Sequence, residues 1–366
     1  MGIPFTSSET YRADDLNSLM EMVMAEDNNV CYTPLSNLKE LKLSSDGKFY
    51  GTGFSENGLR AFTNWAGGGA HAYKVACDVE DTELAANIMN AYLCKNNDRL
   101  KDKAQLVVNC NTNTIIGCVS NRYRDFSNTQ FISRVLGTGR YNVVEGILKD
   151  TKLRVKLVEE ESGWEVAKGD TIHNGMLLRN DVSGWGSLHT RLFCFRLKCT
   201  NGMMVSTKLL DCYIKHYGLE QRFNKKVEDL IELTKQQYEV LKERTRISVS
   251  IPFKPHVLVE EGAPLSWLPD WSNRIHLIPG HKYQPEARSE RYTRTLEMVE
   301  NAPRKYTGPV AMDAFGNNPK SIFHMASALS EYAHLQGDAE LQEQIEEGAG
   351  QLVSWAAGKK EELLAA

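Results

Sequence analysis

Long apolar runs are missing from this chain: no window approaches the roughly 20 consecutive apolar residues that a membrane helix needs, so no helical span is expected. The start, Met1-Gly2-Ile3-Pro4-Phe5-Thr6-Ser7, carries neither a basic region nor an apolar core, which reads as a cytoplasmic protein without a leader. Cysteine is sparse, eight in 366 residues, and never spaced as C-x-x-C. That usage suits reduced, mostly buried thiols better than a disulfide framework or a zinc site. Charge of one sign is missing as well. A formal net charge of −4 gives no whole-chain argument for a polyanionic partner. No P-loop, H-E-x-x-H, G-x-S-x-G or EF-hand loop is found, and no cofactor is expected. Internal repeats and low-complexity tracts are absent.

What is present is ordinary globular material. Apolar residues make up 42 % and charged residues 25 %, at a length suited to two domains or one large domain with appendages. The pattern predicts an α+β fold: an antiparallel β-sheet core of β-β-β-α type, flanking helices and a helical C-terminal region. Four regions are expected: an N-terminal α/β region over 1–95, a basic sheet core with a long helix over 96–250, a Pro-rich arm over 251–285, and a helical acidic region over 286–366.

Within these, Asp14-Asp15 opens a helix to Met24, and Gly67-Gly68-Gly69 reads as a simple turn. A helix behind Thr82 is expected to stop before Asn96-Asn97. Gln105–Cys110 and Thr114–Ser120 flank turn residues and form a hairpin. Ser127-Asn128-Thr129 caps a helix ending at Gly137. Strands follow at Tyr141–Leu148, Leu153–Glu159, Ile172–Arg179 and Leu188–Cys199, with Glu159-Glu160-Glu161 as a charged turn. Ser206-Thr207 caps a segment through Ile214. Phe223, Val227, Leu230, Ile231, Tyr238 and Leu241 lay one apolar stripe along a helix to about Arg246. Six prolines between 252 and 285 define the arm, and helices are expected at Arg291–Glu300, Ser321–Leu335 and Ala339–Leu364.

Charge becomes informative by segment. Arg99 to Val158 holds eleven basic and four acidic residues, a net of +7, whereas Ser327 to the end holds two basic and eight acidic, a net of −6. The totals offset each other. In Lys152-Leu153-Arg154-Val155-Lys156-Leu157 the period of two puts the three cations on one sheet face and the three apolar residues on the other. Cations at roughly 7 Å spacing match an extended phosphate backbone. The competing reading is a solvated face with cross-strand carboxylates. Arg122-Tyr123-Arg124 sets an aromatic between two cations, suited to stacking a base and holding its phosphates. A metal-dependent nucleic-acid-processing enzyme stays open, built from separated carboxylates and histidines such as His173 and His189. So does a non-enzymatic host-interaction protein whose basic strand docks an acidic partner.

Asn113-Thr114-Ile115-Ile116-Gly117-Cys118-Val119-Ser120-Asn121-Arg122-Tyr123, Asn128, Gly169-Asp170 to Asn180 with Gly184, and Arg196-Leu197-Lys198-Cys199-Thr200-Asn201-Gly202-Met203 resemble, in order and spacing, landmarks of the phage- and plasmid-like family called domain of unknown function number nine-three-two. Asp181-Val182-Ser183-Gly184 stands where that pattern has Ser-His-Asp-Gly. The resemblance implies a role in DNA metabolism in a bacterial host cytoplasm. More distantly, three antiparallel strands followed by a long helix resemble the core of single-strand annealing proteins of the RecT, Red-beta and Rad-fifty-two groups. That likeness implies a homo-oligomeric ring or filament that binds single-stranded DNA and promotes annealing in recombination without nucleotide hydrolysis. A phage exonuclease or a host single-strand-binding protein would be its partner, and no membrane would be involved. The residues expected at the DNA are Arg122, Tyr123, Arg124, Lys152, Arg154, Lys156, Arg196 and Lys198; no catalytic residue is expected.

Overall fold

The chain is α+β. A computed structural model describes residues 3–4, 10–123, 127–149, 151–167, 170–184, 186–196, 201–204, 212–214, 220–252, 321–333 and 339–365. It divides into two compact units interleaved along the sequence: Met1–Leu157, Leu178–His189 and Tyr213–Glu228 form the first, Val158–Leu177, Thr190–Cys212 and Asp229–Ala366 the second.

The first unit opens with β1 (Thr10–Ala13), α1 (Leu16–Asn29) and β2 (Val30–Pro34). Asp15 caps α1 by accepting the Ser18 N–H at 2.9 Å. The helix runs five residues past Met24, because Leu19, Val23 and Glu26 continue its buried face. Next come β3 (Gly53–Phe54), α2 (Glu56–Trp65), α3 (Gly69–Asp78) and α4 (Thr82–Lys103). The glycine run is thus more than a turn: it starts α3, with Gly67 and Gly69 at φ of 88° and 51°. The expected stop at Asn96 does not occur. Its side chain donates to the Tyr92 carbonyl at 3.1 Å and the Ala66 carbonyl at 2.9 Å, so the residue serves packing and α4 continues to Lys103. β4 (Ala104–Asn109) and β5 (Thr114–Ser120) form the expected antiparallel hairpin, with a register shift at Val107/Val108. A four-stranded sheet in the order β2-β4-β5-β3 results. Phe49, Phe54, Phe62, Met89, Leu93 and Ile115 fill the core beneath it.

α5 (Asn128–Leu136) follows, capped by Ser127 as expected. β6 (Asn142–Lys149), β7 (Lys152–Ala167), β8 (Asp170–Asp181), β9 (Leu188–Arg196) and β10 (Asn201–Met204) then run as neighbours, with β1 outside β6, in the sheet order β1-β6-β7-β8-β9-β10. β7 carries straight through Glu159-Glu160-Glu161, which is strand and not turn. β11 (Cys212–Ile214) pairs with β9, so these three residues are strand where helix was expected.

α6 (Glu220–Ser250) is the long helix, extending the expected span at both ends. In the second unit its Tyr238 and Leu241 join Trp164, Ile172 and Leu192 in the core, and the Tyr238 hydroxyl donates to the Gly175 carbonyl at 3.2 Å. α7 (Ile322–Ala333), α8 (Ala339–Gly358) and α9 (Lys360–Ala365) complete it. Of the arm, only Ile251 and Pro252 are described, and Pro252 bridges to Ser321; the rest, with the helix expected at 291–300, lies outside the described residues. The acidic C-terminal region is helical, as expected, and part of it is core. Ile345, Ala349, Leu352 and Val353 of α8 are core, and Arg191 of β9 reaches Glu347 at 2.6 Å and Glu343 at 3.5 Å.

Cys31 and Cys110 correct the all-thiol expectation: they form a disulfide, Cα to Cα 6.4 Å, linking the start of β2 to the residue after β4. The thiols of Cys118 and Cys194 are buried, and burial pushes Cys194 up to about 12 and Cys118 up as well. A group so shifted holds roughly a thousandfold less thiolate at neutral pH than an ordinary cysteine. Alkylation read by mass spectrometry is therefore expected to modify exposed Cys94 in the native protein, and Cys118 and Cys194 only after denaturation. Native labelling of Cys194 as fast as Cys94 would contradict the burial.

Candidate nucleic-acid interface

The period of two holds along β7, but what covers its cationic face was not foreseen. Arg154 and Lys156 are 6 % and 2 % exposed, as buried as Leu153, Val155 and Leu157. The open row of cations expected there is therefore corrected: both faces of this stretch are covered. Lys156 Nζ lies 3.6 Å from Glu145 on β6, and Arg12 on β1 approaches the same carboxylate at 3.7 Å. The cross-strand carboxylate of the competing reading is present, on a covered face. Lys152, at the start of the strand, is half-buried.

The Asn121–Tyr123 turn after β5 is fixed from both sides. The Asn121 N–H donates to the Lys103 carbonyl at 2.9 Å and its side chain to the Asp102 carbonyl at 2.6 Å, tying the turn to the end of α4. The Tyr123 ring packs against Tyr32 in a tilted arrangement, with centroids 5.8 Å and planes 31° apart, and its hydroxyl donates to the Val182 carbonyl at 3.4 Å. Its ring is a packing group. Val182 in turn donates its N–H to the Thr151 carbonyl at 3.2 Å. This chain of contacts brings the turn and the Thr151–Lys152 end of β7 together, a juxtaposition that the two separate basic clusters in the sequence did not reveal.

Close approach of β5 to residues 182–184 makes the junction. A Cβ on Gly117 would lie 2.6 Å from the Ser183 carbonyl oxygen, and one on Gly184 2.2 Å from Val119. Asp181 accepts from the Thr151 hydroxyl at 2.8 Å and from the Ser183 N–H at 2.9 Å. Arg122 and Lys103 are exposed at this junction, and neither makes an ion pair among the described residues. Lys103 also stands in the last turn of α4, where a cation is favoured by the helix dipole.

Arg124 and Lys198 lie outside the described residues, as do Cys199 and Thr200; Arg196 is described for its backbone alone, paired with Asn201 of β10. His173 is buried with Nδ1 3.4 Å from the Glu159 carbonyl, and His189 is buried too. Among the described residues no group of three His, Cys, Asp or Glu is placed to hold a metal ion, and no helix is long and apolar enough to cross a membrane.

Comparison with protein families, with curated proteins and with solved structures finds no match to this chain.

Proposed function

We propose that this protein binds single-stranded DNA and promotes annealing of complementary strands as a cytoplasmic homo-oligomer, without nucleotide hydrolysis. The observation that supports the reading is the run of neighbouring strands β7, β8 and β9, which leads through the short β10 and β11 to the 31-residue α6, an order like that of the annealing-protein resemblance. Burial of Arg154 and Lys156 moves the phosphate contacts to the junction, where exposed Arg122 and Lys103 and half-buried Lys152 meet the backbone. Tyr123 positions Arg122 through its hydrogen bond to Val182. Arg124, Arg196 and Lys198 keep their assignment from the sequence. A phage exonuclease or a host single-strand-binding protein is the partner class that goes with such an activity.

The test is annealing of complementary fluorescent oligonucleotides by the purified protein, without nucleotide and with chelator, at low and near-physiological salt. Acceleration over the spontaneous rate is the expected result. Neither acceleration nor single-strand binding at low salt would overturn the proposal, and chelator-sensitive cleavage would make the protein a metal-dependent nuclease instead. Reversing Lys103 and Arg122 to glutamate together is expected to weaken binding by about tenfold or more. Two lost phosphate contacts should flatten the slope of log affinity against log salt by roughly 1.4. An unchanged slope would remove the junction from the interface.

A further inference from the structure

The outer face of α5 carries a second cation that the β7 and Arg122 clusters do not include. Gln130, Ser133 and Arg134 stand at i, i+3 and i+4, which is one helix face, and all three are exposed. Together with half-buried Asn224, early in α6, they line a hollow of about 270 Å³. All four residues belong to the first unit. The lining is one guanidinium, one hydroxyl and two carboxamides, and none of the four is a carboxylate. The walls between these groups are more apolar than polar, which suits the flat face of a base, while the polar groups stand where they can fix its edge and phosphate. A guanidinium matches phosphate with two parallel hydrogen bonds, and a carboxamide pairs a donor with an acceptor, as a base edge does. Arg134 makes no ion pair among the described residues. Exposed Lys225 and Lys226 follow Asn224 and add positive charge, while the carboxylate of Glu228 lies one turn further along α6.

α5 is also held more firmly than a surface helix needs to be. Ser127 accepts the Gln130 N–H at 3.1 Å. Asp27 of α1 accepts the N–H groups of Asn128 and Thr129 at 3.1 and 2.7 Å, and Asn180 of β8 donates to the fully buried Asn128 side chain at 2.8 Å. Its own cap and two separate elements thus fix the helix that presents Gln130, Ser133 and Arg134, which is the preorganisation a subsite requires.

We propose that this hollow is a nucleotide subsite, with the phosphate on Arg134 and the base edge on the carboxamides of Gln130 and Asn224. It is filled by one unit of a single strand. The identity of that strand rests on the function proposed above; the subsite itself rests on the lining.

The full chain, Arg134→Ala and Gln130→Ala would be titrated with deoxythymidine monophosphate, with inorganic phosphate and with a labelled oligodeoxythymidine. Both substitutions are at exposed positions, and unchanged thermal unfolding would show that the fold is kept. The nucleotide is expected to bind more tightly than phosphate. Arg134→Ala should weaken all three probes by about tenfold, from loss of a charge-assisted pair, and Gln130→Ala should weaken the nucleotide and spare phosphate. Equal affinity for nucleotide and phosphate would overturn base recognition. Oligonucleotide binding that is intact in Arg134→Ala would overturn the subsite and leave the single-strand reading standing. Nucleotide binding that depends on Arg134, with no oligonucleotide binding, would support the subsite and overturn the single-strand reading.

Discussion

Lys156→Glu is expected to destabilise the protein by about 3–5 kcal/mol, the range for leaving an uncompensated charge in a buried ion-pair site. The Lys156 side chain is 3 % exposed and its ammonium lies 3.6 Å from Glu145. Reversal would set two carboxylates against each other where little water can screen them, so one must be protonated or the strands must part. Lys156→Met keeps the apolar stem and removes the charge. Glu145 would still have Arg12 at 3.7 Å and about a quarter of its surface in water, so this variant is expected to lose only about 1 kcal/mol. Urea denaturation at neutral pH reads both. Equal stability of Lys156→Glu and the unchanged protein would show that this face is open, and would return Lys156 to the nucleic-acid contacts. The consequence for binding experiments is direct: reversal of Lys152, Arg154 and Lys156 together confounds lost contacts with lost fold. Exposed Arg122 and Lys103 are the residues to change.

The pairing of Lys156 with Glu145 was within reach of the sequence. Counting outward from the two positions that separate β6 from β7 sets position 149 opposite 152, and so 145 opposite 156. Period-two alternation tells which side chains share a face, but it does not tell what lies over that face. A row of cations looks the same in sequence whether water or protein covers it, and the β7 face is the place where that ambiguity mattered. The strands of the larger sheet and the long helix were legible because β-branched and apolar runs mark the strand starts, though not the full length of β7, and α6 carries a sustained apolar stripe. β1, β2 and β3 were not legible. They are two to five residues long, too short for alternation to register, and sheet pairing alone makes them strands.

One local signal pointed the wrong way. Asn96-Asn97 resembles a helix terminus because asparagine competes for backbone hydrogen bonds. In the fold Asn96 spends its amide on the Ala66 carbonyl, thirty residues earlier, and tertiary contact overrides propensity. Near the C-terminus the helices were legible, while the charge count says nothing of Ile345, Ala349, Leu352 and Val353 on the buried side of α8. The candidate interface was legible as two basic clusters. Their junction was not, because it depends on β5 meeting residues 182–184, more than sixty positions further along the chain.

Gly117→Ala tests that junction, and it is expected to lower stability by about 3 kcal/mol, the upper end for forcing extra volume into a packed site. The added Cβ would sit 2.6 Å from the Ser183 oxygen and 2.7 Å from its Cα, both backbone atoms that no rotamer change can move. Ser183 cannot readily yield: it is fully buried, and its N–H and hydroxyl both donate to the Asp181 carboxylate, which is also bonded to Thr151. On the other side, Gly117 is in register with Val107 in the β4–β5 hairpin, so β5 cannot retreat without parting from its partner. Gly358→Ala is the control. No atom lies within 4 Å of its added Cβ, and alanine at a helix end is expected to change stability by less than about 0.5 kcal/mol. If Gly117→Ala folds with unchanged stability, β5 and the 182–184 segment have room between them. The Arg122 turn is then not held against the start of β7, and the case for one continuous interface built from both basic clusters fails with it. If the loss is as expected, a suppressor that shortens the neighbouring side chain cannot restore it, because the obstruction is main chain; only a change of register in β5 could, at the expense of the hydrogen bonds to β4.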